Sequence, residues 1–255
     1  MCSQSKFALY AFLLLLCCHC AAANNMPPDT IAHGTPQRTF AAGLLTETQL
    51  QALEQAYGQH KKIPAQYRAQ ILTALSFFPE LRDVQIDFVM RKSMIPLSSR
   101  PRFTSLLRSA KTRRYMITIS TKTVARFDPI LLAKLNYNAQ VGVLGHEISH
   151  IANYIHTSFW GISRIGWNLI FSERATDRFE AGTDETCIRH GLGFQLLDWS
   201  IATRKALGSE EWFGAKDHSN KAQPARERYL KPSTIRAKMA KLKIYQGLLG
   251  AETQQ

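Results

Sequence analysis

Between Asn138 and Ile155 the chain reads NAQVGVLGHEISHIANYI, a largely apolar run that carries two histidines and one carboxylate. A run of this length and period is expected to form one buried helix beginning near Asn138. Glu147 is the only acidic residue between Asp128 and Glu173. A carboxylate on an apolar helix is costly unless a charge or hydrogen bonds offset its desolvation. Any fold this chain adopts must therefore place a compensating group opposite Glu147.

The order H-E-x-x-H names that group. His146 and His150 stand four residues apart, about 40° around a helix, so both imidazoles leave from one face. Two ring nitrogens at that spacing can reach one Zn²⁺ at about 2.0–2.1 Å. Glu147 points to the neighbouring position, suited to a water on the metal rather than to the metal itself. The expectation is one Zn²⁺ per chain, with His146 and His150 as ligands and Glu147 as general base.

The third ligand has competing candidates. His156 completes the pattern H-E-x-x-H-x-x-G-x-x-H except that Asn153 stands at the glycine. If the helix continues, however, His156 lies about 240° around from His150. Met239 is the only methionine after it and falls in the helical pattern IRAKMAKLK, so a methionine turn is missing. The segment SERATDRFEAGTDETCIRHGLG offers Glu180 and Asp184 on one helical face, and Glu173 and Asp177 repeat the spacing one heptad earlier. Periodicity cannot separate the two pairs. Ser172 reads as an N-cap, which makes Glu173 a first-turn acid of the kind the helix dipole favours.

VGVLGHEISHI followed by FEAGTDETCIRHGLGFQLLDW resembles the bacterial exported gluzincin-type zinc peptidases, relatives of the HtpX and CAAX-prenyl endopeptidases. The similarity covers about residues 135–199, with an echo in RYLKP. It implies Glu180 as the third zinc ligand and Asp184 as an aspartate bracing His146. The implied activity is a metalloendopeptidase of the cell envelope, in which a zinc-activated water hydrolyses a peptide bond and Glu147 moves the proton. The chain lacks the membrane spans of the HtpX branch, so membrane-protein substrates do not carry over. A non-catalytic, zinc-stabilised binding or chaperone-like module using the basic surface is the alternative.

The remaining features frame this centre. Residues 1–23 have the early lysine, apolar run and Ala21/Ala23 positions of a secretory signal peptide. An exported, periplasmic protein is expected, with a lipid anchor on Cys17, Cys18 or Cys20 the lesser reading. Residues 24–43 read as an irregular lead-in and 44–255 as a single domain. Four of the five cysteines leave with the signal, and Cys187 alone cannot form an internal disulfide. The fold expected is α+β: a mainly helical, zincin-like metallopeptidase domain with a small β-sheet before the H-E-x-x-H helix. Thr46 and Gln49 give a capping-box start to a helix reaching about Tyr57, and PAQYRAQILTALSFF gives a second helix. VQIDFVM and RYMITIST alternate as strands, IPLSSRPR between them reads as loop, and RYMITIST is the candidate edge for an extended peptide substrate. FWGISRIGWNLIF, interrupted by Arg164, is read as a core helix or loop ahead of a membrane-surface segment. The net charge is +13, and residues 88–127 hold ten Lys or Arg and no acid. That stretch is read first as a solvated surface and second as a surface for acidic partners such as the anionic envelope. Nucleic acid is not expected. His190, His218 and Tyr229 are the candidates to stabilise an oxyanion.

Overall fold

The computed structural model describes residues 34–209 and 227–249, all within the unit Ala32–Gln255. The signal-type segment 1–23, the first part of the lead-in and His218 lie outside the described residues. The described chain is α+β, with seven α-helices and a four-stranded mixed sheet. In chain order these are α1 (Glu47–Tyr57), β1 (Lys61–Lys62), α2 (Arg68–Leu75), β2 (Gln85–Arg91), β3 (Leu97–Pro101) and β4 (Arg114–Ser120). Then follow α3 (Tyr137–Tyr154), α4 (Phe159–Phe171), α5 (Glu173–Cys187), α6 (Gly193–Leu207) and α7 (Pro232–Met239). None of these helices is long and apolar enough to cross a membrane.

Local chemistry starts the helices where it should. Thr46 and Gln49 form the expected reciprocal capping box on α1. Asn136 caps α3 by accepting from the Ala139 N–H at 2.8 Å, so the helix starts one residue before Asn138. The sheet runs in the order β1-β2-β4-β3, with β1, β2 and β4 parallel and β3 antiparallel to β4. Two expectations are corrected here. Part of IPLSSRPR is a strand, pairing Leu97 with Ile119 and Pro101 with Tyr115. RYMITIST is consequently an interior strand, and β3, like β1, is an edge of the sheet among the described residues. A proline lacks the N–H of a central strand but is tolerated on an edge strand, which is where Pro101 sits.

α3 runs through the core, against α2, α5, α6 and β3. Its contact with α6 is so close that a Cβ on Gly142 would lie 2.1 Å from the Gln195 carbonyl oxygen. Asn138 fastens this crossing. Its Oδ1 accepts from the Phe40 N–H at 2.8 Å and from Gln195 Nε2 at 3.0 Å, while its Nδ2 donates to Asp198 at 2.7 Å. Phe40 is buried in the same core, so the end of the lead-in is irregular but packed. Between α5 and α6 the backbone makes a π-turn, Ile188–Leu192, which needs Gly191 at φ 98°. The Tyr245 hydroxyl splints it, accepting from the Gly193 N–H at 2.7 Å and donating to the Ile188 carbonyl at 2.6 Å.

The basic stretch is not all solvated surface. Arg113 is buried, donating to the Thr157 and Arg108 carbonyls, and Arg102 pairs with buried Asp87 at 2.5 Å. FWGISRIGWNLIF does form a helix, α4, but no residue of it is buried. The expectation of a core element is wrong for its outer face.

Candidate metal centre

α3 supplies His146, Glu147 and His150, and α5 crosses beneath with Glu180, Thr183 and Asp184. Glu180 Oε2 lies 3.2 Å from His146 Nε2 and 3.3 Å from His150 Nε2. The three residues form a buried group whose ligand atoms lie within 4.8 Å of one another and could hold a metal ion. Four ligands about 2.0–2.1 Å from a tetrahedral zinc stand roughly 3.3–3.4 Å apart. The two His–Glu distances have the length of such tetrahedral edges.

The outer ring nitrogens fix which atoms face inward. His146 Nδ1 donates to Asp184 Oδ1 at 2.8 Å, and Asp184 Oδ2 accepts from the Leu230 N–H at 2.8 Å. The Thr183 hydroxyl gives its one proton to the Phe179 carbonyl at 2.9 Å. Its oxygen therefore accepts from His150 Nδ1, 3.1 Å away. In the neutral form each ring would turn an Nε2 lone pair toward Glu180. Lone pairs facing a carboxylate repel unless a proton or a metal cation lies between them. The shifts in proton affinity express the same demand. Burial works against the charged form of His146, but its bonds to Asp184 and Glu180 hold its pKa well above 6.5. Burial alone would raise the pKa of Glu180, yet His150 and His146 together pull it far below the usual carboxylate range.

Glu147 adds an independent sign of fit. It is 6% exposed, and its Oε2 has no hydrogen-bond partner among the described residues. A buried carboxylate oxygen left bare is rare in folded proteins. Beside two histidines and a second carboxylate, Glu180, it fits a group that could hold a metal ion. The residues therefore fit a metal ion, judged by donor set and spacing.

Of the competing third positions, Glu180 alone joins the histidines. Glu173 is exposed in the first turn of α5, capped by Ser172 as the sequence implies. Asp177 is buried and accepts from Arg228 Nε at 2.7 Å. His156 is exposed just beyond the end of α3, and Asn153 remains inside the helix. Asn153 has no positive φ of the kind a metzincin-like turn requires.

Aromatic rings wall the site. Phe179 stacks on His150 at 5.0 Å between centroids, while Trp199 and Tyr229 lie 5.3 and 5.7 Å from the His146 ring. Burial, reinforced by Glu180, Glu147 and Asp184, pushes the Tyr229 phenol well above 10, so it stays protonated. His190 is occupied elsewhere: its ring nitrogens face the Thr186 carbonyl at 2.8 Å and Glu80 at 3.0 Å, and Phe78 stacks on it. Cys187 is buried and unbridged, with its thiol pushed up by burial.

Sequence reasoning missed Thr183 and the Leu230 N–H. The first was discoverable, since residues 180, 183 and 184 share one helical face. The second was not, because a backbone donor leaves no trace in residue type. No family model, no curated protein and no solved structure matches this chain.

Proposed function

We propose that this protein is a zinc-dependent endopeptidase of the cell envelope. The observation that supports it most is the bare Glu147 carboxylate oxygen beside the inward-facing His146, His150 and Glu180 group. A purely structural site has no need of a base at that position. His146, His150 and Glu180 would hold the zinc ion, with Asp184 and Thr183 fixing the two rings.

When bound, the ion would lower the pKa of a water toward about 7 and polarise a peptide carbonyl. Glu147 accepts the proton of the attacking water and returns it to the departing amine. Tyr229, protonated and packed against the His146 ring, is the candidate we assign to the developing oxyanion, in place of His190, whose ring nitrogens face Glu80 and the Thr186 carbonyl. The edge of β3, not RYMITIST, is the strand to which an extended peptide would add, since it packs against α3 and pairs on only one side among the described residues. Export and periplasmic residence belong to this proposal on the strength of residues 1–23.

The test is metal analysis of the purified protein beside cleavage of a peptide library by wild type and Glu147→Gln. Hydrolysis that needs Glu147 supports the peptidase. Stoichiometric zinc with no hydrolysis would favour the zinc-stabilised binding module.

A further inference from the structure

α4 is an apolar helix whose outer face is exposed among the described residues. Ile162 and Ile165 pack inward against the core. Trp160, Arg164, Trp167 and Phe171, at i, i+4, i+7 and i+11, form the opposite stripe. Trp160 is 79% exposed, Trp167 and Phe171 each 65%, and Ile170 beside them 75%. Trp167 and Phe171 touch each other at 4.3 Å between ring centroids. Leaving four such side chains in water forgoes much of the burial that ordinarily drives folding.

A second exposed apolar pair lies close by. Phe103 and Leu107 are 82% and 87% exposed in the segment between β3 and β4. Buried Arg113 ties this segment to the entry of α4, since its guanidinium donates to the Arg108 carbonyl at 3.2 Å and to the Thr157 carbonyl at 3.1 Å. Thr157 immediately precedes Ser158, the N-cap of α4.

The charge within both segments has one sign. Residues 88–127 contain no acid, and the only acid between Asp128 and Glu173 is Glu147, buried in the metal centre. Arg100, Arg108, Lys122 and Arg126 are exposed. We infer that α4, with the Phe103–Leu107 segment, is an interfacial docking surface for an anionic lipid bilayer. Tryptophan and phenylalanine enter the headgroup–acyl boundary, and the arginines meet lipid phosphate. A helix of 13 residues is too short to span a bilayer but suits lying in its surface. A second copy of this chain suits the face poorly, because a two-fold contact would bring the same cationic segments onto themselves. This inference is independent of what the metal centre does.

The test uses the full chain with phosphatidylcholine vesicles, with and without 30% phosphatidylglycerol, some carrying brominated acyl chains. Wild type should float with the anionic vesicles and bind neutral ones far less. Its tryptophan emission should be quenched by the brominated lipid. Trp160→Phe/Trp167→Phe should lose that quenched fraction, a residue-specific signal that attachment through another segment would not produce. Trp167→Ser/Phe171→Ser should lower partition about tenfold while keeping its metal content, which checks the fold. The inference is overturned if brominated lipid quenches wild type and Trp160→Phe/Trp167→Phe in the same proportion. It is equally overturned if sedimentation shows self-association abolished by Trp167→Ser/Phe171→Ser while vesicles bind neither form.

Discussion

The Thr183 hydroxyl oxygen lies 3.1 Å from Nδ1 of His150 and, having donated its own proton to the Phe179 carbonyl, can only accept. That contact sets the tautomer of His150 and aims Nε2 at Glu180. Thr183→Val keeps the shape and removes the acceptor. Zinc affinity should fall about 10–100-fold, as is usual when the partner of a ligand histidine is lost. Thr183→Ser should restore most of it. Competition against a fluorescent chelator measures both, and an unchanged affinity in the valine variant would show that His150 needs no such partner.

Glu147→Gln should abolish peptide hydrolysis and leave bound zinc near one per chain. The substitution keeps the size of the side chain and removes only its basicity. Retained turnover with zinc confirmed present would defeat the proposed mechanism.

The third ligand can be tested against its rivals in one experiment. Glu180→Ala removes the carboxylate shared by both histidines and should lose most of the zinc after dialysis against a weak chelator. His156→Ala and Glu173→Ala, both at exposed positions, should keep it. Asp184→Asn should retain zinc more weakly, because the amide still offers an oxygen but its NH₂ cannot accept as a carboxylate oxygen does. Zinc loss in His156→Ala with retention in Glu180→Ala would overturn the assignment.

Tyr245→Phe should destabilise the fold without touching the metal group. Two buried backbone groups, the Gly193 N–H and the Ile188 carbonyl, would lose their partner. An unsatisfied buried polar group costs about 1–3 kcal/mol, so a loss on the order of 2–5 kcal/mol is expected by urea unfolding. A change below about 0.5 kcal/mol would mean that the π-turn finds other partners.

The sequence by itself determined what depends on residues close in the chain. Helix periodicity put His146 and His150 on one face, and the caps at Thr46 and Ser172 set where two helices begin, because capping is decided within four residues. The lone carboxylate of an apolar helix marked Glu147 for the same local reason. Tertiary structure alone decided everything that joins distant segments. Glu180 and Glu173 share one E-x-x-x-D spacing a heptad apart; the Ser172 cap marks Glu173 as a first-turn acid, and the crossing of α5 and α3 is what brings Glu180 to the histidines. β3 lacks a clear apolar alternation, and its pairing with β4 is what makes Leu97–Pro101 a strand and an edge. The Leu230 N–H reaches Asp184 from 46 residues away, a backbone donor that no residue type signals. α4 shows the same division: composition fixed it as apolar, but only packing could leave its tryptophan stripe facing outward. Side-chain chemistry is local, whereas a coordination sphere, a sheet edge and an exposed face are properties of how segments meet.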